Sequence, residues 1–89
     1  MLHFNIFLDL EEHQNQSNKL QLSATLNLAA SYLKMKEYRE ALETCQKVLA
    51  LDSNNEKGMF RMAQAYLGLG FEKEAITHFT KVFISIFNS

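Results

Sequence analysis

The sequence predicts an all-α solenoid of stacked helical hairpins, on two observations. It superimposes on itself at an offset of 34 residues, and each aligned half carries two apolar stripes at helical spacing. At that offset Leu22–Asn55 falls on Glu56–Ser89, and eight of the 34 aligned positions are identical. The pairs are Ala29/Ala63, Tyr32/Tyr66, Leu33/Leu67, Glu40/Glu74, Ala41/Ala75, Lys47/Lys81, Val48/Val82 and Asn54/Asn88. Chance gives roughly two, and a period of this length marks a helix–turn–helix array.

Taken in order, residues 1–21 read as an N-terminal helix and loop, the remnant of a first repeat. Leu2, Ile6, Phe7 and Leu10 share one helical face, while Phe4, Ile6, Leu8 and Leu10 alternate as a strand would. Helix is the favoured reading, because a lone strand has no sheet to join. The polar stretch His13–Asn18 reads as the connecting loop. In the unit 22–55, Leu22, Leu26, Ala29 and Leu33 form the first stripe and Tyr38, Leu42, Cys45 and Leu49 the second. The unit 56–89 repeats the plan. The small pairs Ala29 with Ala41 and Ala63 with Ala75 are expected where helices approach closely, with Tyr32 and Tyr66 filling the space between units. Ser53 and Glu56 have the spacing of a capping box opening the second unit. Gly70 is suited to the left-handed residue that ends a helix, whereas Lys36 at the same repeat position predicts a less relaxed turn.

Composition excludes several functions. At 89 residues and 10.3 kDa the chain is at most one domain, too short for a large catalytic cavity. Nine Lys+Arg against ten Asp+Glu give a net charge of −1, which argues against nucleic acid or anionic membrane as a partner. A single cysteine and three scattered histidines predict no disulfide, no metal site and no cofactor. The N-terminus lacks a basic region ahead of its apolar residues, and the run Val82–Phe87 is far below a membrane span, so a cytoplasmic location is expected. Cys45 reads as a small core residue, His78 as an outward-facing residue of the last helix, and Met59 and Met62 as packing residues, with Met59 towards the groove edge. The three glycines form no phosphate-binding loop, and no nucleophile–base set is visible, so the chain is not expected to be an enzyme.

The chemistry is expected in the concave groove that the first helices of stacked hairpins line. On the alignment the first unit presents Ser23, Asn27, Ala30 and Lys34, and the second presents Lys57, Arg61, Gln64 and Gly68. Lys57 and Arg61 are four apart, so both charges leave one helical face. Such a like-charged pair disfavours an isolated helix by about 0.2–0.5 kcal/mol, a sign that a bound anion reverses.

Tyr32, Ala41 and Val48 in the first unit, with Ala63, Tyr66, Ala75, Phe79 and Val82 in the second, resemble the tetratricopeptide repeat (TPR). The stretches LNLAASYLKMKEYREAL and LDSNNEKGMFR are similar to the TPR domain of the large FKBP-type immunophilins, prolyl isomerases that act as co-chaperones. The resemblance covers about Lys19 to Val82. It implies a protein-interaction module that docks the acidic C-terminal peptide of cytosolic heat-shock chaperones through a carboxylate clamp. Asn27 matches the family's second-repeat asparagine, and Lys57 and Arg61 match its third-repeat lysine and arginine. The first-repeat lysine and asparagine have no counterpart here, so the implied clamp is partial. The family's isomerase domain is a separate β-rich module that no segment of this chain encodes.

The end of the chain departs from that pattern. Phe71 stands one place before the usual aromatic position, leaving Glu72 in it, and Phe83, Ile84, Ile86 and Phe87 make the last helix apolar on more than one face. The family's further helix is missing. Solenoid ends without a polar cap predict a second reading: a truncated repeat fragment acting mainly by self-association, as a homodimer through its uncapped ends, without chaperone binding.

Overall fold

The computed structural model describes the backbone of residues 2–88 and the side chains of residues 12–88. The packing expected of Leu2, Ile6, Phe7 and Leu10 therefore lies outside the described residues. The described residues form four α-helices: α1 (Leu2–Lys34), α2 (Tyr38–Leu51), α3 (Glu56–Gly68) and α4 (Glu72–Phe87). Each helix packs on its successor, and α1 also meets α3, as in a stack of hairpins. The result is a slab measuring 57 × 31 × 15 Å. The expected TPR-type helical solenoid is the observed architecture.

One expected break is absent. His13–Asn18 is not a loop but the middle of α1, which runs unbroken for 33 residues. The stretch holds no glycine or proline to stop a helix, and Gln14 Nε2 donates to Asn18 Oδ1 (3.1 Å) one turn further on. Glu12 to Leu20 are all exposed, so polarity there marks a helix standing in solvent. A continuous helix cannot reverse direction, so residues 2–21 do not form an antiparallel hairpin with the segment that follows.

The turns show the repeat at atomic level. Lys36 (φ 61°) and Gly70 (φ 86°) are the left-handed residues at equivalent positions. In the first turn Lys36 N–H donates to Leu33 O (3.0 Å) and Glu37 N–H to Tyr32 O (2.9 Å). In the second, Gly70 N–H donates to Leu67 O (3.0 Å) and Phe71 N–H to Tyr66 O (2.9 Å). Both are Schellman closures, which satisfy the last carbonyls of the helix. Lysine at φ > 0 carries a steric cost that glycine avoids, as the sequence led us to expect.

The start of α3 corrects a second expectation. Its cap is Asn55, not Ser53: Asn55 Oδ1 accepts from Gly58 N–H (2.8 Å), and its Nδ2 donates to Asp52 Oδ2 (3.1 Å). Ser53 lies in the preceding turn. Asparagine and serine cap about equally well, so the two registers were open in sequence.

The core is narrow and made of small side chains. Ala29, Ala41, Ala63 and Ala75 are buried, and Cys45 and Val48 are the largest fully buried side chains. Ala29, Cys45 and Met62 cluster, with Leu42, Leu49 and Tyr66 packed against them. Burying a valine or leucine contributes about 1.5–3 kcal/mol, whereas alanine contributes mainly by letting helix axes approach. Thr44, the one polar residue of this interior among those described, donates its hydroxyl to Glu40 O (2.7 Å). His78 is not outward-facing: it is half-buried, its ring 5.3 Å from that of Tyr66 and its Nδ1 2.8 Å from Glu74 O. Tyr66 also meets Phe71 edge-on (6.3 Å). The displaced Phe71, at the N-cap of α4, thus finds its packing partner from outside the helix.

Candidate functional site

The expected anion-binding residues divide between α1 and α3. On α3, Lys57 is exposed and Arg61, one turn later, is half-buried. The Arg61 guanidinium crosses to α1, where Nη1 donates to Leu26 O (2.9 Å). This bond uses the second lone pair of a helical carbonyl and ties α3 to α1 beside Asn27. It also holds the charge over the core: burial pushes the Cys45 thiol up to about 11, and the positive charge of Arg61 works in the opposite direction. Buried and protonated, Cys45 is a core residue and no nucleophile at neutral pH.

Lys57, Arg61 and Gln64 line one open groove of about 490 Å³, with Glu56 on its rim and Phe60, Val82 and Ile86 on its floor. Phe60 is held edge-to-face against Phe79 of α4 (5.4 Å). Glu56 Oε1 accepts from Ser85 Oγ (2.8 Å), which engages the rim carboxylate with α4. Among the described residues, no carboxylate forms an ion pair with Lys57 or Arg61. The groove thus joins an apolar floor to two cations that, among the described residues, are in no ion pair, the Glu56 carboxylate being engaged by Ser85, and this combination suits a ligand with an aliphatic body and carboxylate groups.

The α1 residues stand apart from this groove. Asn27, Ser23 and Lys34 are exposed and Ala30 is half-buried, and none of them lines it. Asn27 is linked to it through the neighbouring Leu26 carbonyl that Arg61 holds. Gln64 also borders a second crevice with Leu33, Tyr38, Leu67 and Gly68, so it stands between the two openings. The apolar floor was not anticipated. Its signal was present in the i, i+4 spacing of Val82 and Ile86, but which helix they would face depends on the α3–α4 crossing. Among the described residues there is no metal-ligand cluster, and no helix is long and apolar enough to cross a membrane.

Comparison with known proteins agrees with this architecture. Residues 24–55 match the family model of the tetratricopeptide repeat. Peptidyl-prolyl cis-trans isomerase FKBP4 of Homo sapiens is 42% identical over 71 residues, which are 80% of this chain and 16% of that protein. The Bos taurus protein of the same name is 42% identical over 72 residues, 81% of this chain and 16% of its own length. FK506-binding protein 5 of Rhizopus delemar is 36% identical over 66 residues, 74% of this chain and 17% of that protein. The chain therefore spans about 16% of the length of the first curated relatives it matches.

Proposed function

We propose that this chain, which carries the tetratricopeptide repeat, a non-catalytic protein-interaction unit, docks the acidic C-terminal peptide of a cytosolic heat-shock chaperone in the manner of a co-chaperone. Asn27, Lys57 and Arg61 form a partial carboxylate clamp, and the chain acts in the cytoplasm. A terminal aspartate offers two carboxylates on one residue. A guanidinium, an ammonium and an amide hold both, and charge-assisted bonds are the stronger kind. The observation that carries the reading is the pair of cations in the α3 groove without a carboxylate partner among the described residues. Ser23, Ala30, Lys34 and Gln64 flank the path of the peptide. The isomerase activity in the relatives' name belongs to proteins much longer than this chain, and the chain's own role is binding.

The test is fluorescence anisotropy of a labelled peptide ending in Glu-Glu-Val-Asp, against the same peptide with an amidated terminus. Loss of one charge-assisted interaction of about 1.5–3 kcal/mol predicts that amidation weakens binding by about 10–100-fold. Equal affinity for both peptides, or no binding up to about millimolar, contradicts the reading. A second reading, a repeat fragment acting mainly by self-association, is supported by the exposed Phe83, Ile84 and Phe87 at the end of α4.

A further inference from the structure

We infer that the groove between α3 and the end of α4 is also the seat of the N-terminal segment of a second copy of this chain, residues 2–12, so that self-association and peptide capture exclude one another. The exclusion rests on the docking function proposed above, whereas the self-complex stands on its own observations.

The groove asks for a partner with an apolar body and negative charge. Its floor of Phe60, Val82 and Ile86 continues onto an exposed apolar end, where the rings of Phe83 and Phe87 lie 4.8 Å apart and are 62% and 74% exposed. Lys57 and Arg61 supply two positive charges beside it, against the one carboxylate of Glu56, which Ser85 engages. The chain carries a segment of the complementary chemistry. Leu2, Phe4, Ile6, Phe7, Leu8 and Leu10 are followed by Glu11 and Glu12, Asp9 lies among them, and the first lysine or arginine is Lys19. The backbone of this segment is helical and continuous with the rest of α1. An apolar helix laid into a groove, with its carboxylates against the groove's cations, is a recurring recognition mode.

Among the described residues α1 packs on α2 and α3 and not on α4, and the unbroken helix leads away through the exposed stretch Glu12–Leu20. Because α1 does not pack on α4 among the described residues, the seat open to the segment is the groove of another copy. Such a contact joins two different surfaces, so reciprocal exchange closes a pair and one-way insertion builds an open chain. The same Lys57 and Arg61 then serve either the segment or the chaperone peptide.

The test uses the full chain and two variants, Ile6→Glu in the segment and Ile86→Glu in the groove, with circular dichroism to verify that each stays helical. In sedimentation velocity the parent is expected to associate with concentration and each variant alone to remain monomeric. An equimolar mixture is expected to recover a dimer, because Ile6→Glu supplies an intact groove and Ile86→Glu an intact segment. Where about a tenth of the parent's grooves are free, the Ile6→Glu variant is expected to bind the acidic peptide about tenfold more tightly than the parent. A monomeric parent, an Ile6→Glu variant that associates like the parent, or a mixture that stays monomeric overturns the self-complex. Equal peptide affinity of an associated parent and the monomeric variant overturns the exclusion alone. Absence of peptide binding by the monomeric variant overturns the exclusion and the docking function together, and the mixing result still decides the self-complex.

Discussion

Gly68 closes α3 against the ring that opens α2, and replacing it with alanine tests how the two hairpins are set. A Cβ at Gly68 would overlap Cγ, Cδ1 and Cε1 of Tyr38. Since Cγ is among these atoms, the ring cannot escape by moving its tip alone; χ1 of Tyr38 must change. Taken alone, glycine to alanine in a helix is stabilising by about 0.8–1 kcal/mol. Overpacking of this kind costs about 1–3 kcal/mol, so the expected net effect of Gly68→Ala is a loss of about 1 kcal/mol. For a domain of this size that lowers Tm by about 4–8 °C. In a Tyr38→Ala background the obstacle is gone and the same substitution is expected to stabilise by up to about 1 kcal/mol. The sign reversal is the signature, and urea denaturation of the four proteins in a double-mutant cycle should give a coupling of about 2 kcal/mol. If Gly68→Ala stabilises equally in both backgrounds, the close approach of Tyr38 to α3 does not set this packing and the reasoning fails.

Three further outcomes follow from local geometry. Gly70→Ala forces a side chain onto φ 86° and should cost about 1 kcal/mol or more, whereas Lys36→Gly relieves the equivalent strain and should stabilise by up to about 1 kcal/mol, both read from thermal melts. Asn55→Ala removes the cap of α3 and should cost about 1 kcal/mol in urea denaturation, while Ser53→Ala should change little. Burial raises the Cys45 thiol from 9.0 to about 11, so its contribution to stability is fully present below pH 9 and is lost as pH rises through about 11. The parent should lose more stability than Cys45→Ala across that range, and a thiol reagent should label Cys45 at neutral pH only after unfolding.

Much of the fold was legible because the repeat is written twice. The left-handed residues Lys36 and Gly70, the buried alanines and the packing of Tyr66 each sit where the self-alignment requires. What was not legible depended on choices that sequence leaves nearly balanced. Polar residues at 13–18 suit a loop or a solvated helix equally, and the decision fell to helix for want of a breaker. Ser53 and Asn55 were both competent caps, and the register of α3 selected Asn55. At the candidate site, the spacing of Lys57 and Arg61 placed them on one helical face, and both line the groove. The bond from Arg61 to Leu26 O joins residues in different helices and had no local signal. The apolar floor likewise depends on where α4 crosses α3. The partial burial of His78 was missed because the space left beside Tyr66 is a tertiary property.

The central claim is that the α3 groove and its neighbours on α1 hold the carboxylates of an acidic C-terminal peptide. The most direct measurement is a nuclear magnetic resonance titration of the isotope-labelled chain that follows side-chain signals. The account predicts saturable shifts at Arg61 Nε–H, the side-chain amides of Asn27 and Gln64, and the Lys57 side chain, all reduced by amidating the peptide. Shifts centred instead on the crevice of Asn18, Lys19 and Asp52 between α1 and the end of α2, or no saturable shifts, would contradict it.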